Sequence, residues 1–229
     1  MTPATETATL ATEKNRAVRH YYATDHTSLT LEQLCRLLDV AKTHGRREFA
    51  MVFLGFAHAL RVSEICEMTM SNVNLSAKTI TVRRKKGSDS GIQEMLNVNC
   101  YDEGHVLELW IKERNKLPFA QETDLLFPSP KLGAGGSRTL SQQQFYRLFW
   151  QLCEDAGLPE HYRHPHVLKH TCARVLIELG VPLSSVQKRT GHRTLAALQH
   201  YTTPSQTDAS AICQKALTRA TRALRRAKV

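Results

Sequence analysis

What this chain lacks narrows its class first. No apolar run approaches the roughly 20 residues that a membrane span needs, so no membrane partner is indicated. The opening stretch, MTPATETATLATEKNR, has no apolar segment of the kind that a secretory leader carries. Cysteines stand at 35, 66, 100, 153, 172 and 213, and none forms a CxxC pair. Paired-thiolate zinc sites are therefore not indicated. Most of these cysteines fall within apolar helical patterns, which reads as reduced core thiols of a cytoplasmic protein rather than as disulfides. No internal repeat is visible. Acidic residues are outnumbered: 31 Lys and Arg stand against 21 Asp and Glu, a formal net charge of +10. Such a surplus attracts polyanions, above all nucleic acid, although a merely soluble basic protein would share it. The placement of the charges has to decide.

What is present suits one good-sized core, or one core with a small appendage. The chain has 229 residues, of which 41% are apolar. Residues 1–27 are polar and rich in Thr and Ala, and are expected to form a flexible arm with room for a short helix at 14–22. Leu31, Leu34, Leu37 and Leu38 then form a helical stripe. Thr30 is its expected N-cap, with Glu32 and Gln33 in the first turn and Gly45 as its stop. Residues 46–60 read as a buried apolar helix, and 61–68 begin another. Over 78–99 the period falls to two: Ile80 and Val82 alternate with polar residues, as do Leu96 and Val98, around a turn at 87–91. This pattern predicts a β-hairpin, the one clear β element. Helices are expected near 103–115, 141–156, 166–179, 183–190, 194–202 and 208–226. Pro118, Pro128, Pro130 and the glycines of 133–136 suggest an exposed linker. The fold class is α+β, mostly helical with a small antiparallel sheet.

Chemistry concentrates in residues 166–170, HVLKH. On a helix opened by Pro165, His166 and His170 share one face with Lys169 beside them. A zinc-protease helix would need a glutamate after the first histidine, and Val167 stands there. A phosphate clamp and a plain helix-start role remain. From His166 the chain continues HVLKHTCARVLIELGVPLSSVQKRTGHRTLAALQHYT, with Tyr201 nine residues after His192. Upstream lies HALRVSEICEMTMSNVNL, and between the two lies the basic run VRRKKG.

These segments, in this order, resemble the tyrosine recombinase (phage integrase) family over about residues 28–205. The resemblance implies the catalytic-domain fold of that family and an enzyme that cleaves and rejoins DNA through a 3′-phosphotyrosyl intermediate. The alternative is a degenerate relative that binds DNA without cutting it. By the family pattern, Arg61, His166, Lys169 and His192 would surround the scissile phosphate, and Tyr201 would attack it. Lys86 would be the general acid, with Lys85 as the alternative. Glu64 would orient Arg61, and His170 would support the site. Arg83, Arg84, Lys85 and Arg193 would touch DNA, unless the basic run is simply a solvated face.

The family normally has an arginine where Lys169 stands. Lysine keeps the charge but loses the two-pronged fork. Arg163 and Arg174 are nearby alternatives, off the motif position. A phenol has a pKa near 10, so Tyr201 must lose its proton as it attacks, with His166 or water as the expected acceptor. No metal and no cofactor is implied.

The resemblance is to short members without the N-terminal DNA-clamping domain. It implies partners in double-stranded DNA at specific attachment or inversion sites, of a phage or another mobile element. It also implies a homo-oligomer on that DNA, a tetramer. In residues 206–229, Ala209, Ile212, Ala216 and Leu217 form a stripe that would dock on a neighbouring protomer or fold back. Arg222, Arg225, Arg226 and Lys228 would form a DNA-touching end.

Overall fold

The computed structural model describes residues 27–85, 90–98, 101–201 and 214. The N-terminal arm before Thr27, Lys86 and the stripe of the C-terminal tail lie outside the described residues. Helix α1 (Leu31–His44) starts as expected. Thr30 Oγ1 accepts from Gln33 N at 3.1 Å, and Gln33 Oε1 accepts from Thr30 N at 2.8 Å, a reciprocal cap. After Gly45, α2 (Arg46–Ala57) is buried from Phe49 onward except at Phe56. Met51 and Leu54 face one core cluster, with α3 (Val62–Cys66), the sheet, and α4 (Glu103–Arg114). Phe49, Val52 and Phe53 face another, with α1, α5 (Gln142–Asp155) and α6 (His166–Glu178). α2 is thus the central post. At Gly55 a Cβ would come within 2.9 Å of Leu168 Cδ1, so glycine lets α6 approach.

Strands β1 (Val73–Asn74), β2 (Thr79–Val82) and β3 (Gly91–Glu94) form an antiparallel sheet in that order. The hairpin register pairs Thr79 with Glu94 and Val82 with Gly91. The expected hairpin is present but shorter. Val98 leaves it to pair with Tyr101, in a second small sheet made by β4 (Asn97–Val98) and β5 (Tyr101–Asp102). Alternation alone could not show that Glu103 Oε2 takes the Leu96 N–H at 2.8 Å and ends the first ladder there. The expected exposed linker is also partly core. Leu126 and Phe127 are fully buried, and Trp110 Nε1 donates to Leu126 O at 2.9 Å.

A third, small cluster matters most for the site. Ala173 of α6, Val186 of α7 (Leu183–Thr190) and Leu198 pack together, with Tyr201 at their edge. Leu198 belongs to the helix expected near 194–202, which spans Leu195–Tyr201 and is of the 3₁₀ type. Among the described residues, no helix is long and apolar enough to cross a membrane.

Candidate active site

Arg61 stands at the N-cap of α3 in extended conformation (φ −77°, ψ 156°). Glu64, one turn on, accepts from Arg61 N at 2.9 Å and from Arg61 Nη1 at 2.8 Å. Its buried carboxylate also takes Arg84 Nη1 at 3.0 Å and the Lys85 N–H at 3.2 Å. Burial alone would raise the Glu64 carboxyl. The Arg61 N–H, the Arg84 charge, the Arg61 guanidinium and the Lys85 N–H outweigh it and hold the group below its ordinary range. Arg61 Nη2 reaches Gly191 O at 3.3 Å, yet the side chain stays 21% exposed. It is oriented without being covered, as an anion-binding guanidinium must be.

Helix α6 delivers the next three groups. His166, its first residue, has an exposed edge but a desolvated ring. Lys169 points inward, 2% exposed, and its Nζ donates to the Thr190 carbonyl. Burial, then the Arg61 and Arg84 charges, pull its ammonium down to about 7. The His170 ring meets His166 edge-on, centroids 4.6 Å apart.

Helix α7 ends in Gly191, left-handed at φ 66°, ψ 37°, and the turn presents His192. Thr190 Oγ1 donates its one proton to Val186 O at 2.7 Å. His192 Nδ1 therefore donates to Thr190 Oγ1, at 2.6 Å, and the neutral ring keeps its lone pair on Nε2. Burial lowers both imidazoles. With Lys169, His170, Arg61 and His166 beside it, His192 falls to about 3. With Lys169, His164 and Arg61 beside it, His166 falls to about 4. Both are neutral at pH 7, in a site whose charges would favour an anion. Tyr201 closes the cluster. Its hydroxyl sits against His170 Nδ1, with ring centroids 5.8 Å apart.

Residues 27–208 match the model of the phage integrase family. The chain belongs to this tyrosine recombinase family. It is 34% identical over 176 residues to the type 1 fimbriae regulatory protein FimB of Escherichia coli K12, covering 76% of this chain and 82% of FimB. The crystal structure of XerA recombinase superposes with a TM-score of 0.66 at 24% identity, over 82% of this chain and 64% of XerA. XerH site-specific recombinase bound to difH superposes with a TM-score of 0.62 at 22% identity, over 81% of this chain and 53% of XerH. The protein is a tyrosine-type site-specific DNA recombinase.

Within this recombinase the structure brings Arg61, Glu64, His166, Lys169, His170, His192 and Tyr201 together. Arg83 and Arg193 are exposed. Lys85 Nζ is paired with Glu67. Arg84 corrects the expectation of a phosphate contact. It is 9% exposed, and its guanidinium donates to Ala59 O at 3.0 Å, His58 O at 2.8 Å, Glu64 and Arg189 O. Strand alternation turns it inward, and the buried Glu64 carboxylate demands a cation. Neither alternative arginine joins the site. Arg163 pairs with Glu154 at 2.9 Å over the Trp150 ring, and Arg174 pairs with Glu178 at 2.7 Å.

Sequence reasoning missed a buried polar set behind the site. His58 Nε2 lies 2.5 Å from Glu103 Oε1, and His58 Nδ1 lies 2.8 Å from Gln93 Oε1. Gln93 Nε2 donates to Arg189 O at 3.0 Å. The one available signal was a histidine within an otherwise apolar stretch just ahead of Arg61.

Proposed function

We propose that this recombinase acts on specific double-stranded DNA sites, with Tyr201 as nucleophile and with Arg61, His166, Lys169 and His192 around the scissile phosphate. The observation that carries this reading is the contact of Tyr201 with His170, next to Lys169, beside a cluster in which Arg61, Lys169, His166 and His192 act on one another's charge. Negative charge grows on the phosphoryl oxygens as the phenol attacks. Fixed donors aimed at that charge lower the barrier. The exposed edge of Arg61 supplies a planar fork. His192 presents its Nε2 lone pair to the same place, where it can accept a hydrogen bond from a protonated oxygen. Lys169 adds charge from below and holds the carbonyl of Thr190, next to the turn that presents His192. The departing 5′-oxygen takes a proton from the hairpin, where Lys86 is the candidate general acid and Lys85 the alternative.

The kinship with a protein named as a fimbriae regulator supports a switch that rearranges DNA between paired sites, rather than phage integration. Breaking two sites requires two cleavages at each, which a homo-oligomer on DNA, a tetramer, provides. The work is done in the cytoplasm, where the DNA is.

The test is covalent trapping on a substrate nicked beside the scissile phosphate, drawn from DNA flanking the coding region. Wild type should give a protease-sensitive protein–DNA band, and Tyr201→Phe should bind the same DNA without one. A band that persists in Tyr201→Phe would remove Tyr201 from the role. Binding without any wild-type band would favour the DNA-binding relative that no longer cuts.

A further inference from the structure

We propose that His170 is a catalytic residue of this recombinase, taking the proton of the Tyr201 hydroxyl as that oxygen attacks phosphorus. The inference rests on the reading of Tyr201 as the nucleophile. Sequence reasoning gave His170 a supporting role and left the proton to His166 or water. The geometry points elsewhere, since the ring nitrogen at the phenol is His170 Nδ1.

The contact is anchored from both sides. His170 lies one turn into α6, with its ring braced edge-on by His166. Tyr201 ends a segment held to the same helix through Leu198, Ala173 and Val186, with Leu176 and Ile177 packed beside them. The pairing is therefore set by packing that does not involve the phosphate, so the acceptor can be in place before DNA arrives.

The chemistry balances. For Nδ1 to accept, the neutral ring carries its own proton on Nε2. The Tyr201 oxygen forms a bond to phosphorus, and the phenolic proton passes to His170 Nδ1. The bond from phosphorus to the 5′-oxygen breaks, and that oxygen takes a proton from the separate general acid. In rejoining, the 5′-hydroxyl attacks and gives its proton back to that general acid, the Tyr201 oxygen leaves, and His170 returns its proton to the phenol. A base is needed, because a phenol with a pKa near 10 is roughly one part in a thousand ionised at pH 7. An imidazole is the side chain suited to accept near neutrality. The groups around it bear on its charge: His166 and Lys169 from α6, His192 from the turn after α7, Arg61 from α3, and Tyr201 itself. The cations among them oppose an imidazolium, and the phosphate of bound DNA offsets them. The proton thus moves most readily when substrate is in place.

The experiment is single-turnover cleavage of the nicked substrate between pH 5.5 and 9. It compares wild type, His170→Asn and His170→Gln, each with tyrosine or 3-fluorotyrosine at position 201. Asparagine sets an amide near the Nδ1 position. It can hold the hydroxyl but cannot take its proton, and glutamine guards against a single variant that fails to fold. DNA affinity should stay within about threefold, and cleavage should slow by about 10²-fold. The limb of the pH profile that belongs to the imidazole should vanish. Fluorination lowers the pKa of the phenol, so it should restore part of the rate in the His170 variants. A residue that merely packs against Tyr201 predicts a deficit that fluorination leaves untouched, and that result overturns the proposal. So does cleavage by both variants at the wild-type rate. A wild-type protein that forms no adduct overturns the nucleophile reading as well, which sets that failure apart.

Discussion

The bare Cα of Gly191 packs against the guanidinium of Arg84. A Cβ built there would lie 2.8 Å from Arg84 Nε and 2.9 Å from Arg84 Cδ. The turn that carries His192 is thereby keyed to the end of strand β2, from which the basic hairpin run continues. Arg84 in turn holds the carbonyls of His58 and Ala59 just ahead of Arg61. Ala59 is itself left-handed, at φ 50°, which turns this loop around the guanidinium. One buried cation thus sets the spacing between the Arg61 corner and the His192 turn.

Gly191→Ala should disturb both. A left-handed alanine costs about 1–2 kcal/mol, before the contact with Arg84 is counted. We expect a loss of about 2 kcal/mol or more in chemical denaturation, and a fall of at least about tenfold in single-turnover cleavage. An alanine variant with wild-type stability and rate would show that this packing is not needed.

Arg83 and Arg84 are neighbours with opposite expected behaviour. Arg83 is exposed, so Arg83→Ala should leave stability unchanged and make the slope of log K against log salt shallower by about 0.9. Arg84→Ala strips the buried Glu64 carboxylate of a partner and should cost about 3 kcal/mol of stability. The salt slope of its folded fraction should be unchanged. Urea melts and salt titrations of DNA binding check both, and a reversal of the two phenotypes would refute the assignment.

Lys169 gives the site a titration that an arginine would not have. Burial and the nearby guanidinium groups bring it to about 7, against an ordinary value of 10.5. A phosphate beside it favours the charged form, so the DNA complex should bind more protons than the separate molecules between about pH 7 and 10.5. Affinity should therefore fall as pH rises through that window. Calorimetric titration at pH 8.5, in two buffers of different ionisation enthalpy, should show proton uptake by wild type and less by Lys169→Arg, whose guanidinium stays charged. At that pH the histidines contribute little. Lys169→Ala should slow cleavage by about 10²-fold while weakening binding far less. Equal uptake by wild type and Lys169→Arg would place the titrating group elsewhere.

Much of the fold was legible because its signals are local. Thr30 and Gln33 cap each other within one turn, and α7 occupies the expected residues 183–190. Ile80 and Val82 are buried, as alternation requires. The hairpin was overextended because Leu96 and Val98 keep the same period although a contact from Glu103 ends the first ladder. The helix after His192 was legible as a helix, but composition does not separate α from 3₁₀ in so short a stretch. In the site, Arg61 with Glu64 could be read from spacing within one turn, whereas His192 and Tyr201 were picked out by the resemblance to the family motif.

By itself, then, the sequence determined the elements, the residue types of the site and their order along the chain, since caps, periodicity and short spacings act over a few residues. The tertiary structure decided which way the ambiguous side chains face. Arg84 finds Arg189 across 105 residues, Lys169 finds Thr190 across 21, and His170 finds Tyr201 across 31. Each of those pairings depends on how α6, α7 and the sheet pack around α2. A lysine or an arginine reads the same on paper whether it ends against water or against a buried carbonyl, and only the desolvation and the partner supplied by the fold tell the two apart.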